Sequence, residues 1–239
     1  MNDFLFLPIK IHEQKLIEDL NICLRSEWKE HFNSNDYSGS WTVISLRSQS
    51  GDTKDIFAND TGLPFINTPL MEQCHYFTEI LNQMAFEKET IRLLRLEPGS
   101  IVKKHRDLGL AYRFGCFRLH IPIVTDASVE FMVGNNNVQM KKGECWYADF
   151  DLAHSVNNNS KYERIHLVID GKRNAWTDNL FANAGYNFEA EKQYTDYSIE
   201  TKMRMIEHLQ FIKTDTANEL IDKLKLEINT ALNTKNANQ

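Results

Sequence analysis

The sequence predicts a mainly β domain, a sandwich or barrel, flanked by α-helices at both ends. Short β-prone runs separated by turn clusters fill the stretch from Ile91 to Asp170, while residues before and after it carry the helical period. At 239 residues, 42% apolar and 25% charged, the chain has the composition of a protein with a packed core. No 20- to 50-residue repeat and no Gly/Ser linker divides it, so one domain over residues 1–239 is expected.

The helical N-terminal region covers about residues 10–86. Between His12 and Glu27 the apolar residues Leu16, Ile17, Leu20, Cys23 and Leu24 recur at helical spacing, and Leu70, Cys74, Phe77, Leu81 and Met84 repeat the pattern. Between them Trp41 to Gly51 reads as a strand running into a loop. The β-core follows over about 90–175, with strands at Ile91–Glu97, Ile101–His105, Phe117–Val124, Val129–Val133, Glu144–Ala148 and Arg164–Asp170. Period two places Phe117, Leu119, Ile121 and Ile123 on one face and Arg118, His120 and Pro122 on the other. Likewise Arg164 and His166 oppose Ile165, Leu167 and Ile169. Arginine and histidine on the second face of a strand suit a lumen that holds anions. Past Trp176 the helical period returns through Met203, Ile206, Leu209 and Phe211, then Leu220, Ile221, Leu224 and Ile228, a C-terminal extension over about 177–235.

A net charge of −6 gives no electrostatic drive toward a polyanion, so nucleic acid is not an expected partner. The four cysteines, Cys23, Cys74, Cys116 and Cys145, stand far apart without zinc or redox spacing and read as reduced thiols in a cytoplasm. No run of about 18 apolar residues occurs and the N-terminus carries an acid early, so neither a membrane span nor a signal peptide is expected. The helical stripes fit equally a cover for one sheet and a dimer contact, which leaves the oligomeric state open.

His105 and Asp107 lie two apart at a strand end, and His154 follows 49 residues later. Two imidazoles and one carboxylate from neighbouring strands form a facial set that leaves about three octahedral positions open. That suits Fe(II) binding a chelating cosubstrate and O2. His-x-Asp alone is more often a solvated pair. Arg164, ten positions after His154, adds a planar five-donor fork for a carboxylate, as the far end of 2-oxoglutarate requires; the competing role is a structural pair with Glu163 or Asp170. Arg118, His120 and His166 are further donors for cosubstrate oxygens. For an amino acid or peptide substrate the candidates are Arg92, first because its strand leads to the site, then Arg47 and Gln49. Trp146 and Tyr147 are read as core packing.

The ordered series Leu96-Glu97-Pro98-Gly99, His105-Arg106-Asp107, Arg118-Leu119-His120-Ile121-Pro122, Lys142 to Tyr147, His154-Ser155-Val156-Asn157 and Arg164 to Asp170 resembles the aspartyl/asparaginyl β-hydroxylase family, which includes bacterial proline cis-hydroxylases. The resemblance covers about residues 90–175, and Trp41 to Gly51 more loosely. It implies a double-stranded β-helix of the jelly-roll or cupin type that hydroxylates an unactivated carbon and releases succinate and CO2. It further implies His105, Asp107 and His154 as the catalytic metal ligands and Arg164 on the distal carboxylate of 2-oxoglutarate. Arg118 and His120 match the strand that helps hold cosubstrate or substrate near the metal. The animal members lack the carboxylate that Asp107 provides, so the resemblance is closer to the bacterial free-amino-acid branch. Two other readings stay open: a non-catalytic cupin-like metal module or sensor, and a metal-free jelly roll. A carboxylate clamp at Arg164 and Arg118 favours the oxygenase over both.

Overall fold

Strand alternation and turn chemistry together give two antiparallel sheets facing one another across a shared core. A computed structural model describes residues 2–58, 62–195, 199–210 and 215–237, and Phe211 of the expected helical stripe lies outside them. The strands are β1 (Phe4–Leu7), β2 (Lys29–Glu30), β3 (Tyr37–Ser38), β4 (Trp41–Ser48), β5 (Ile66–Asn67), β6 (Lys88–Leu96), β7 (Ile101–His105), β8 (Cys116–Val124), β9 (Val129–Val133), β10 (Asn136–Asn137), β11 (Cys145–Ala148), β12 (His154–Asn158) and β13 (Arg164–Lys172). The larger sheet runs β1-β11-β8-β13-β6-β4-β2, with β5 on β4, and the smaller runs β10-β9-β12-β7-β3. From β6 to β13 the chain passes back and forth between the sheets, with only the β9–β10 hairpin staying in the smaller one, the winding of a double-stranded β-helix.

The inner faces meet in a core that includes Trp41, Val43, Leu94, Leu96, Val102, Phe131, Phe150, Val156 and Val168. The outer face of the large sheet buries Ile44, Leu46, Leu93, Leu119, Ile121, Leu167 and Ile169. Helices α1 (Glu13–Cys23) and α2 (His75–Gln83) pack on one another, bury Leu16, Leu20, Phe77 and Ile80, and α1 touches β8. Helix α3 (Ala175–Asn183) starts from a capping box: the Thr177 N–H donates to the Asn174 side chain at 3.0 Å and the Asn174 N–H donates to Thr177 Oγ1 at 2.9 Å.

Two expectations are corrected. The β-structure is not confined to 90–175: besides the expected strand from Trp41, which forms as β4 beside β6, β1 pairs with β11 and β2 and β5 pair with β4 in the larger sheet, while β3 joins β7 in the smaller. The first helix is shorter than His12–Glu27 because Trp28 turns back and its indole N–H donates to the Cys23 carbonyl at 3.0 Å, after which β2 begins.

Two compact units make up the chain, Met1–Asn187 and Phe188–Gln239. The second contains α4 (Phe188–Thr195), α5 (Ile199–Leu209) and α6 (Asp215–Ala237). In it α5 packs on α6, and buried Lys202 pairs with Glu227 at 3.1 Å. No helix among the described residues is long and apolar enough to cross a membrane.

Candidate metal and carboxylate site

At one mouth of the β-helix the sheet pairing brings the expected ligands together. His105 ends β7 and His154 begins β12, and the antiparallel register sets them directly opposite, so both imidazoles leave the same face. Their ring centroids are 4.2 Å apart. Asp107 lies two residues past the strand, where its N–H donates to the Phe150 carbonyl at 2.9 Å, and its carboxylate returns to 3.8 Å from His105 Nε2. Ligand-type atoms of His105, Asp107 and His154 all fall within 4.8 Å of one another.

The backbone sets the tautomer of both histidines. His105 Nδ1 lies 2.7 Å from the Lys103 carbonyl and His154 Nδ1 3.0 Å from that of Leu152. A carbonyl only accepts, so each Nδ1 carries the proton and each Nε2 keeps its lone pair for a metal. Burial, together with the neighbouring His105, lowers the His154 pKa to about 4, which keeps that imidazole neutral.

The loop that carries Asp107 is fastened to the turn before His154 through Asp151. Its carboxylate accepts from the Gly109 N–H at 3.0 Å, Arg106 Nη2 at 3.1 Å and Arg113 Nη2 at 2.7 Å, while Arg113 also pairs with Asp149. Glycine at 109 permits the turn because its φ is 83°.

Deeper in the lumen the inward faces of β6, β8 and β13 supply Arg92, Arg118, His120, Arg164, His166 and Asp170. The register places Asp170 opposite Arg118, and Val168 opposite both His120 and Arg92. Asp170 accepts from Arg118 Nε at 2.6 Å and Nη2 at 3.0 Å, Arg92 Nη2 at 2.8 Å and the Thr90 hydroxyl at 2.6 Å. Burial opposes its ionisation, yet the Arg118 and Arg92 guanidiniums hold its carboxyl well below the usual carboxylate range. Arg118 extends the chain of charge to Asp107, donating from Nη1 to its Oδ2 at 2.9 Å.

Arg164 stands apart from this network. It is 3% exposed, and none of the described ion pairs gives it a carboxylate. Its Nη2 lies 3.0 Å from His166 Nδ1, its guanidinium sits over the Phe131 ring at 5.4 Å, and its Nε has no hydrogen-bond partner among the described residues. Burial presses its pKa down to about 9. His120 Nδ1 lies 3.3 Å from His166 Nδ1, and both Nε2 atoms are buried without partners. Burial and the Arg164 charge keep both imidazoles neutral.

A cavity of about 470 Å³ connects the two zones; His105, Asp107, His154, Arg92, Arg118, His120 and Arg164 line it. The site residues expected from sequence divide accordingly. The three ligands, Arg164 and His120 converge on the cavity, and His166 lies behind through Arg164. Arg118 lines the cavity with its three nitrogens donating to Asp170 and Asp107, which holds the Asp107 carboxylate and uses three of its five N–H groups. Arg92 also lines it, bound to Asp170 and at 3.3 Å to the Ile56 carbonyl. Arg47 and Gln49 are not brought there. The β-bulge between Ser45 and Arg47 turns Arg47 toward the Lys88 carbonyl at 3.2 Å and Asn67 at 2.8 Å, and Gln49 donates to the Leu63 carbonyl at 2.9 Å. Sequence reading missed His31, Phe32, Leu108 and Leu110, which complete the mouth. The pattern His31-Phe32 ahead of Tyr37 and Trp41 in a polar stretch was the available signal.

The fold is a double-stranded β-helix whose cavity brings two histidines and one carboxylate together with a buried arginine. The family model for aspartyl/asparaginyl β-hydroxylase matches residues 12–174, and the chain belongs to that family. L-proline cis-4-hydroxylase of Rhizobium meliloti (strain 1021) is 27% identical over 180 residues, 73% of this chain, and the chain spans 62% of that relative's length. Among solved structures, an oxidoreductase of the 2OG-Fe(II) oxygenase family from Burkholderia pseudomallei aligns over 72% of this chain and 86% of its own, at 14% identity and TM-score 0.49. A prolyl-4-hydroxylase from Pseudomonas putida aligns over 72% and 94%, at 11% identity and TM-score 0.42.

Proposed function

We propose that the protein is an Fe(II)- and 2-oxoglutarate-dependent dioxygenase that hydroxylates an unactivated carbon of a small amino acid or a peptidyl residue, with release of succinate and CO2. The observation that carries this reading is the pairing of a candidate facial ligand set with Arg164, a buried guanidinium that no carboxylate among the described residues pairs with. A metal sensor has use for the first and none for the second. Family membership and the proline hydroxylase relative support the same class of reaction.

His105, Asp107 and His154 would hold Fe(II) through Nε2, a carboxylate oxygen and Nε2. Bound iron with 2-oxoglutarate supplies the oxidising power for C–H hydroxylation. The chain's residues do the positioning. Arg164 receives the distal carboxylate of 2-oxoglutarate in a bidentate or charge-assisted bond, and His120 and His166 offer polar nitrogens beside it. Arg118 fixes the rotamer of Asp107 and, through Asp170, ties the metal ligand to the strand that bears Arg164. Phe131, Phe150, Leu94 and Val156 keep the cavity wall apolar, which strengthens these contacts by excluding water. The cytoplasm is the working compartment in this reading, on the spacing of the four cysteines, which lacks any zinc or disulfide-scaffold pattern.

The test is anaerobic addition of Fe(II) and 2-oxoglutarate, followed by air, ascorbate and candidate amino acids. The expected results are a metal-to-ligand absorption band and amino-acid-stimulated succinate. Metal content unchanged in His105→Ala, or no band in the wild type, refutes the reading.

A further inference from the structure

His31 lies on the segment that crosses from β2, the last strand of the large sheet, to β3, the last strand of the small one, and so closes the side of the β-helix at its mouth. Its ring is clamped. It stacks on Trp41 with centroids 3.6 Å apart at 11° and on Phe32 at 4.5 Å and 29°, and meets Tyr37 edge-on at 6.4 Å. The tautomer is fixed as well: the Asn33 N–H donates to His31 Nδ1 at 3.4 Å, so the ring proton is on Nε2. No described group accepts from that N–H, and the ring lines the same cavity as His105, Asp107, Arg92 and Arg118.

We propose that His31 is the substrate-binding donor of this site, offering Nε2–H to the carboxylate of a free α-amino acid while Trp41 and Phe32 hold the ring in place. The assignment rests on the oxygenase reading above and names a side chain for the substrate that Arg47 and Gln49 do not supply. Three features support it. Burial, reinforced by the Arg92 and Arg118 charges, lowers the His31 pKa to about 4, so the imidazole is a neutral one-proton donor at pH 7. Arg118 donates from all three nitrogens to Asp170 and Asp107, and Arg92 gives Nη2 to Asp170 and Nη1 to the Ile56 carbonyl while its Nε stays buried, so at the mouth it is His31 that adds a neutral donor beside these guanidiniums. Beside it Phe32 and Phe57, 5.1 Å apart and each half-exposed, form an apolar lip suited to the substrate's hydrocarbon part. A packing role alone would need an aromatic ring and no N–H.

The experiment uses the full chain with Fe(II), 2-oxoglutarate and ascorbate, a panel of the proteinogenic L-amino acids, and the carboxamide of each. Succinate release gives KM, and calorimetric titration of the same acid into the anaerobic Fe(II)–2-oxoglutarate protein gives Kd without turnover. At least one free acid is expected to stimulate the wild type, with its carboxamide at a KM at least about tenfold higher. His31→Phe keeps the stack and loses the donor; it is expected to raise KM and Kd for the acid about ten- to a hundredfold, with little change for the amide. Mn(II) affinity, 2-oxoglutarate affinity and melting temperature stay at wild-type values. His31→Gln, which retains an N–H, recovers part of the loss. The proposal is overturned if His31→Phe binds the acid normally, if acid and amide lose equally, if the amide serves the wild type as well as the acid, or if no free amino acid stimulates it. A wild type that shows no absorption band with Fe(II) and 2-oxoglutarate sinks the oxygenase reading, and this proposal with it; a normal band with any of the other failures sinks the role of His31 alone.

Discussion

Replacing Arg164 by methionine is expected to move stability and cosubstrate affinity in opposite directions. In the ligand-free protein the guanidinium is buried, has one imidazole contact at 3.0 Å, and has its pKa pressed to about 9. Keeping that group charged at pH 7 costs on the order of 5 kcal/mol relative to the unfolded chain. Burial disfavours the charged form in the folded state, and because a guanidinium keeps its proton the cost is present throughout the physiological pH range. Methionine fills similar volume without the charge, and the ligand-free variant should be as stable as the wild type or more so, by up to a few kcal/mol. A carboxylate ligand offsets the burial cost in the wild type and adds charge-assisted hydrogen bonds of about 1.5 to 3 kcal/mol each, so the variant should bind 2-oxoglutarate at least about tenfold more weakly. Urea unfolding of the metal-free protein gives the first quantity, and anaerobic titration of the Fe(II) absorption band gives the second. Wild-type affinity for 2-oxoglutarate in Arg164→Met, or a loss of more than about 3 kcal/mol in stability, would show that the arginine is a structural residue satisfied from within.

Asp151→Asn keeps the shape but weakens the bonds to Arg106 and Arg113, and Mn(II) affinity measured by electron paramagnetic resonance should fall about ten- to a hundredfold; an unchanged value means the Asp107 loop holds itself. Asp170→Asn leaves Arg92 and Arg118 buried without their shared counter-charge, a loss of about 3 to 5 kcal/mol in denaturant unfolding. Since the folded Asp170 pKa lies below the unfolded carboxylate value near 4, its contribution is present above about pH 4 and disappears as pH falls through the folded pKa. Wild type should therefore lose stability more steeply than Asp170→Asn in strong acid, and parallel curves would contradict the pairing. Asn174→Ala removes the helix cap and should cost about 1 kcal/mol while leaving metal affinity intact, a control that separates folding from the site.

Much of the site was legible because its chemistry is written in period two. Arg118 with His120 and Arg164 with His166 alternate with aliphatic residues, and the sheet turns those alternations into one inward face. His105 and His154 were legible as a pair only through residue type and the family resemblance; the register that sets them opposite is a long-range fact that no local pattern encodes. The same limit hid β1: Phe4–Leu7 is a four-residue apolar run that becomes a strand only because β11 offers it an edge. Arg47 shows the reverse error. Period two from Trp41 would have carried it along the inner face, but the bulge after Ser45 breaks the alternation and points it elsewhere.

The network around Asp170 explains why so many charges are tolerated on an inner face. Asp170 and Asp107 are the acids for Arg92 and Arg118, and each guanidinium reaches an acid on another strand or loop, so burial is matched by hydrogen-bonded counter-charge. Arg164 breaks that rule at one place, some three positions along the inner face of β13 from Asp170, too far for the acid to serve it. Had stability been the only constraint, an aliphatic residue there would continue the core of Phe131 and Val168. A charge left uncompensated beside a fully compensated cluster is what a site requires if its missing partner is to arrive as a ligand.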